Sequence, residues 1–76
     1  MNNSRRKELE KAVSLLEEAQ SIIESCRDDE QDYLDNIPEN LQSSERYEVA
    51  ENAVDCLDSA CDSLSEAIDN VNSAAE

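Results

Sequence analysis

Aspartates recur along the C-terminal half of the chain at steps that a helix would turn into rows: Asp55, Asp58, Asp62 and Asp69. Side chains three or four positions apart on a helix have Cβ atoms about 5–6 Å apart, close to the spacing of phosphates along a nucleic-acid strand. A rigid row of this kind could imitate a phosphate backbone and occupy a basic cleft built for DNA or RNA. The same row also suits a solvated face that keeps an alanine-rich helix in solution. Sequence alone leaves both readings open. A second cluster, Asp28, Asp29, Glu30, Asp32, Asp35 and Glu39, contains no base. Calcium is the chemistry it raises, but the segment lacks the Gly and the alternating ligand spacing of a calcium loop, and a helix would scatter its carboxylates. No metal and no cofactor is expected.

The other reactive groups point away from catalysis. The chain has no His and no Gly, so neither an imidazole base nor a glycine-rich phosphate loop can form, and no nucleophile has a plausible base beside it. Paired carboxylates are plentiful, but a narrow helical rod offers no enclosed pocket to raise the pKa of one of them. The chain is therefore not expected to be an enzyme. Cys26, Cys56 and Cys61 are odd in number and contain no Cys-x-x-Cys pair, which excludes the usual zinc and dithiol patterns. Cys56 and Cys61 fall about 140° apart on a helix and cannot bridge each other. Cys26 and Cys61 are expected on apolar seams as small packing residues, with Cys56 off the seam. Free thiols fit a reducing, cytoplasmic setting.

Charge narrows the partners. Twenty acids face six bases, a net charge of −14. Residues 1–11 carry Arg5, Arg6, Lys7 and Lys11 against two acids, whereas residues 12–76 keep only Arg27 and Arg46 against eighteen. Such a field repels nucleic acid and anionic lipid and attracts basic protein surfaces. Direct nucleic-acid binding and membrane attachment are not expected. No apolar run approaches the roughly 18 residues of a membrane span, and no apolar h-region follows the basic start. Arg5, Arg6 and Lys7 could hold a small anionic ligand such as a signalling nucleotide only if the patches of several chains converged.

The elements that must position these groups are two long helices. With no Gly, one Pro and only Tyr33 and Tyr47 as aromatics, the chain lacks the turns of an all-β fold and the large side chains of a layered core. In the first half, Leu9, Ala12, Leu16, Ala19, Ile23, Cys26, Tyr33 and Ile37 follow alternating steps of three and four around one acidic lapse, Glu30. That is a heptad seam. Val13, Leu15, Ile22 and Leu34 flank it and widen the stripe. Asn3 or Ser4 suits the N-cap. Pro38 denies a continuing helix its N–H and pushes Ile37 out of the α region, so residues 36–43 read as a turn, with room for one short helical turn after Pro38. Ile37 and Leu41 are expected to cover the hairpin end, with Tyr33 and Tyr47 packed there. Ser43 or Ser44 then caps the second helix.

That second helix repeats in sevens, beginning at Ala53, Ala60, Ala67 and Ala74. Tyr47, Val54, Cys61 and Ile68 form one seam position, Ala50, Leu57, Leu64 and Val71 the other, and the four alanines line an adjoining edge. The fold expected is all-α: one antiparallel hairpin domain over residues 1–76, with helix 4–35, turn 36–43 and helix 44–75. It sets the basic start beside the acidic finish, where Arg5, Arg6, Lys7 and Lys11 could meet Glu66, Asp69 and Glu76. Leu15, Ile22 and Val13 point away from a two-helix seam, which suggests a homodimer paired into a four-helix bundle, or a higher homo-oligomer, unless the extra face is the partner site.

The turn also carries a resemblance. Asp29-Glu30-Gln31-Asp32, Asp35-Asn36-Ile37-Pro38-Glu39-Asn40-Leu41-Gln42 and Ser44-Glu45-Arg46, followed by the Ala-Val-Asp and Ala-Ile-Asp heptads, resemble short acidic proteins encoded by phages and prophages of Gram-positive bacteria. The likeness spans roughly residues 20–72, and it departs at Tyr47, where the group often has Gly. It implies a viral protein in the host cytoplasm and transfers no catalytic residue. The leading expectation is a non-enzymatic accessory protein that binds, and inhibits, a host defence or nucleic-acid-handling protein through acidic helix faces. Asp55, Asp58, Asp62, Asp69, Asp28, Asp29 and Asp32 are the contact candidates. The alternatives are an assembly adaptor within a larger helical bundle, or an oligomeric nucleotide sponge using Arg5, Arg6 and Lys7.

Overall fold

A computed structural model describes all 76 residues as an antiparallel helical hairpin with no strand. Helix α1 spans Asn3–Asp35, a 3-10 turn α2 spans Glu39–Leu41, and helix α3 spans Glu45–Ala74. The rod measures 59 × 15 × 13 Å and its radius of gyration is 17.3 Å, against about 11 Å for a globule of this length. No helix is long and apolar enough to cross a membrane.

Local chemistry sets the ends. The Asn2 side chain accepts the Arg5 backbone N–H at 2.8 Å and caps α1, one residue before the expected Asn3 or Ser4. Asn3 is instead the first helical residue, and its side chain accepts from Arg6 at 3.3 Å. At the far end Asn36 folds back, its side chain donating to the Asp32 carbonyl at 2.7 Å. Pro38 then starts the short turn, where its carbonyl accepts from Leu41 at 2.8 Å. Ser44 caps α3 by accepting from the Tyr47 N–H at 3.3 Å. Glu45 and Glu48 sit in the first turn of α3, where the helix dipole favours negative charge. The chain reverses without any residue at positive φ.

The core is thin. Only Leu34, Ala50, Val54 and Cys61 are buried, and Ile37 and Tyr47 pack against the first three at the turn. The seam of α3 runs as expected: Tyr47, Ala50, Val54, Leu57, Cys61, Leu64, Ile68 and Val71 are all buried or half-buried. The seam of α1 does not. Leu9, Ala12, Leu16, Ala19 and Ile23 face inward, but Cys26 and Tyr33 are exposed while Leu34 is buried and Arg27 is half-buried. An α-helix drifts about 20° per heptad against a strict seven-residue repeat. Over the three heptads from Ala12 to Tyr33 that is about 60°, enough to swing Tyr33 off the seam and bring Leu34 from the flank into it. Leu41 also departs from expectation: at 48% exposed it leaves the end of the hairpin to Ile37.

Candidate functional site

The register of the hairpin decides which side chains share a surface. Gln20 of α1 donates to the Cys61 carbonyl at 3.1 Å and to the Ser65 hydroxyl at 2.7 Å. Arg27 reaches Asp58 at 3.1 Å, and Arg6 reaches the Ala75 carbonyl at 3.0 Å. Gln20 and Arg27, seven apart, therefore edge the same side of the rod as Ser65 and Asp58, also seven apart. By the ~100° step of a helix, the next rows outward on that side are Glu10, Glu17 and Glu24 on α1 and Glu51, Asp55, Asp62 and Asp69 on α3. All of these are exposed.

Arg6 near the open end and Arg27 near the turn are the bases on this side, and both pairings of Arg27 are to acids there. It bridges Asp28 and Asp58, each at 3.1 Å, and the side-chain hydrogen bonds to Asp28 and then Asp58 raise its pKa further above the usual arginine range. These are exposed pairs, so they fix the register more than they stabilise the fold. The structure thus brings Asp28, Asp55, Asp58, Asp62 and Asp69 onto one acidic side. Asp29 lies at the edge of the opposite side and Asp32 on the outer back of α1. Sequence reading missed Glu10, Glu17 and Glu24, whose spacing of seven was visible but whose place beside the aspartates depended on the pairing of the helices.

The basic start does something other than expected. No ion pair forms between Arg5, Arg6, Lys7 or Lys11 and Glu66, Asp69 or Glu76. Arg6 instead donates to the main-chain oxygens of Ala75 and, at 3.4 Å, Glu76. The last carbonyls of a helix lack intrahelical donors, and Arg6 supplies one to Ala75. Arg5 and Lys7 stay exposed.

The middle of the opposite side is apolar, with charged residues toward its ends. Leu15, Ile22, Cys26 and Tyr33 fall within about 40° of one another on α1. Val49, Ala53, Cys56, Ala60 and Ala67 line α3 beside them. At the turn end the two helices frame a shallow groove of about 380 Å³ lined by Glu30, Tyr33, Glu45, Arg46, Val49 and Ala50. A smaller hollow of about 250 Å³ lies over the turn itself, between Tyr33, Ile37, Pro38 and Leu41. No group of three or more potential metal ligands is gathered anywhere in the structure.

Burial pushes the Cys61 thiol above its ordinary pKa, and the neighbouring Glu24 carboxylate adds to the shift. Less thiolate at a given pH means slower alkylation. In the native protein at pH 8, Cys61 is expected to react with iodoacetamide at least about tenfold more slowly than in denaturant. Timed labelling and peptide mass spectrometry would read this, and native-state labelling as fast as in denaturant would contradict the buried placement.

Compared with protein-family models, curated proteins and solved structures, the chain matches none.

Proposed function

We propose that this hairpin is a non-catalytic, phage-type accessory protein whose acidic side docks on a basic surface of a host protein and blocks it. A host defence or nucleic-acid-handling protein is the partner class that such a charge pattern suits. One observation carries the reading: the carboxylates are segregated. Acids from both helices line one long side of the rod, while charge on the opposite side is concentrated near its ends, at Glu8, Lys11, Asp29, Glu30, Glu45 and Arg46. The acidic side is rigid and its rows repeat at roughly phosphate spacing, so a cleft built for a nucleic-acid strand could accept it. The phage origin rests on the resemblance of the turn. The nucleotide-binding alternative has less to draw on, because Arg6 is occupied by the end of α3.

The test is the variant Asp55→Asn, Asp62→Asn, Asp69→Asn, which keeps side-chain shape and leaves the seam untouched. The host protein retained by the immobilised wild-type chain would be identified by mass spectrometry, and its affinity for both chains measured. We expect affinity to fall at least about tenfold at physiological salt, with a shallower salt dependence, because such contacts act mainly through charge. Helicity should be unchanged. Equal binding by both chains would remove the acidic-side reading and favour an adaptor that joins a larger bundle.

A further inference from the structure

We propose that a second copy of this chain covers the apolar side, packed head to tail about a two-fold axis near the level of residue 24. Leu15 and Ile22 are each 59% exposed, Val49 63% and Tyr33 44%, and they lie in rows on a single side rather than scattered. The hairpin exposes 5607 Å², where a folded monomer of its mass is expected to expose roughly 4,650 Å². The excess, about 950 Å², is close to the ~800 Å² that each partner contributes to a standard interface. Two rods joined along this side would remove it.

A two-fold interface must be complementary to itself. The apolar row of α1 runs from Leu15 to Tyr33, so its midpoint is residue 24. Rotation about an axis at that level sets Leu15 of one copy against Tyr33 and Val49 of the other. That is where the 380 Å³ groove lies, so the most exposed leucine of α1 meets the one opening at its own height. Ile22 and Cys26 meet their counterparts near the axis.

Charge selects this direction over the turn-to-turn one. From Asp28 to Glu48 there are eight acids and only Arg46 as a base. Placing two turn ends together would face these clusters with each other. Head-to-tail packing brings Arg5, Lys7 and Lys11 of one copy to the acidic turn of the other. The interface shares no residue with the acidic side, so either proposal can fail without the other.

Sedimentation equilibrium across micromolar concentrations is expected to show a two-chain species for the wild type. Leu15→Asp with Ile22→Asp should weaken association at least about a hundredfold, while Ser14→Asp, on the back of α1, leaves it intact. Alkylation of Cys26 and Cys56 should slow as the wild-type concentration rises. Direction is read from spin labels at Gln42→Cys in a Cys26→Ser, Cys56→Ser background, where Cys61 is shielded. Labels about 50 Å apart, from the 1.5 Å rise per residue, support the head-to-tail bundle. Labels within about 20 Å would mean turn-to-turn packing and overturn it. A chain that stays monomeric throughout, or one that forms trimers or larger species, overturns the dimer itself, whatever the double variant does to folding.

Discussion

Val54→Asp is expected to abolish the helical fold at 25 °C. A 76-residue chain has a stability of about 4–11 kcal/mol on the usual per-residue scale, and here that stability is drawn from an unusually small interior. Val54 is 6% exposed and touches Leu34 and Ala50 in the cluster that closes the turn end. Losing its burial costs about 1.5–3 kcal/mol, and leaving an unpaired carboxylate in its place adds about 3–5 kcal/mol. The adjacent Asp55, and Glu51 and Asp58 one turn away on the same helix, oppose ionisation there. The sum, about 4.5–8 kcal/mol, exceeds the total at the lower end of that range, where so small an interior places this chain. Far-UV circular dichroism would show it as a loss of the helical minima, while Ser59→Asp, an exposed position on the same helix, should cost under about 1 kcal/mol. A Val54→Asp chain that melted cooperatively near the wild-type temperature would show that the seam of α3 is not where the fold is held.

Salt should stabilise this protein strongly. Glu45, Glu48, Glu51, Asp55, Asp58, Asp62, Glu66 and Asp69 follow one another along α3 at steps of three or four, so each meets the next across a single helical turn. Like charges so placed cost about 0.2–0.5 kcal/mol per pair, which over seven neighbours is roughly 1.5–3.5 kcal/mol at low ionic strength. Arg27 relieves only the Asp58 position. The screening length shrinks from about 30 Å at 0.01 M to about 3 Å at 1 M. At about 4–8 °C per kcal/mol for a chain of this size, full screening would raise the midpoint of thermal unfolding by about 6–28 °C over that range of sodium chloride. The triple Asp→Asn variant should start higher and respond less. A flat or falling midpoint in the wild type would mean that the carboxylates do not strain α3. The sign matters for binding, since a basic partner would relieve the same repulsion that salt does.

Much of this was legible in the residues. The sevenfold alanine repeat, with Val54, Leu57, Cys61 and Leu64 between, specifies α3 and its buried stripe, and that stripe is wide enough to tolerate helical drift. Pro38 and Ser44 mark the turn because one lacks a donor and the other supplies an acceptor. The first helix was harder. Its seam is sparse after Ile23, so small angular drift decides whether Tyr33 or Leu34 goes inside, and the periodicity of a single strand of sequence cannot settle that. The acidic side was legible only in halves. The aspartates of α3 announce themselves, but Glu10, Glu17 and Glu24 join them only once Gln20 and Arg27 have fixed which flank of α1 meets Ser65 and Asp58.

A reversal made entirely at negative φ has an evolutionary consequence. Because no backbone position here demands glycine, almost any side chain but proline can be introduced along the chain without backbone strain. Selection is then left to act on apolar size at a few seam positions and on the sign of charge elsewhere. A lineage of such hairpins can rewrite its outer surfaces quickly while the scaffold stays the same.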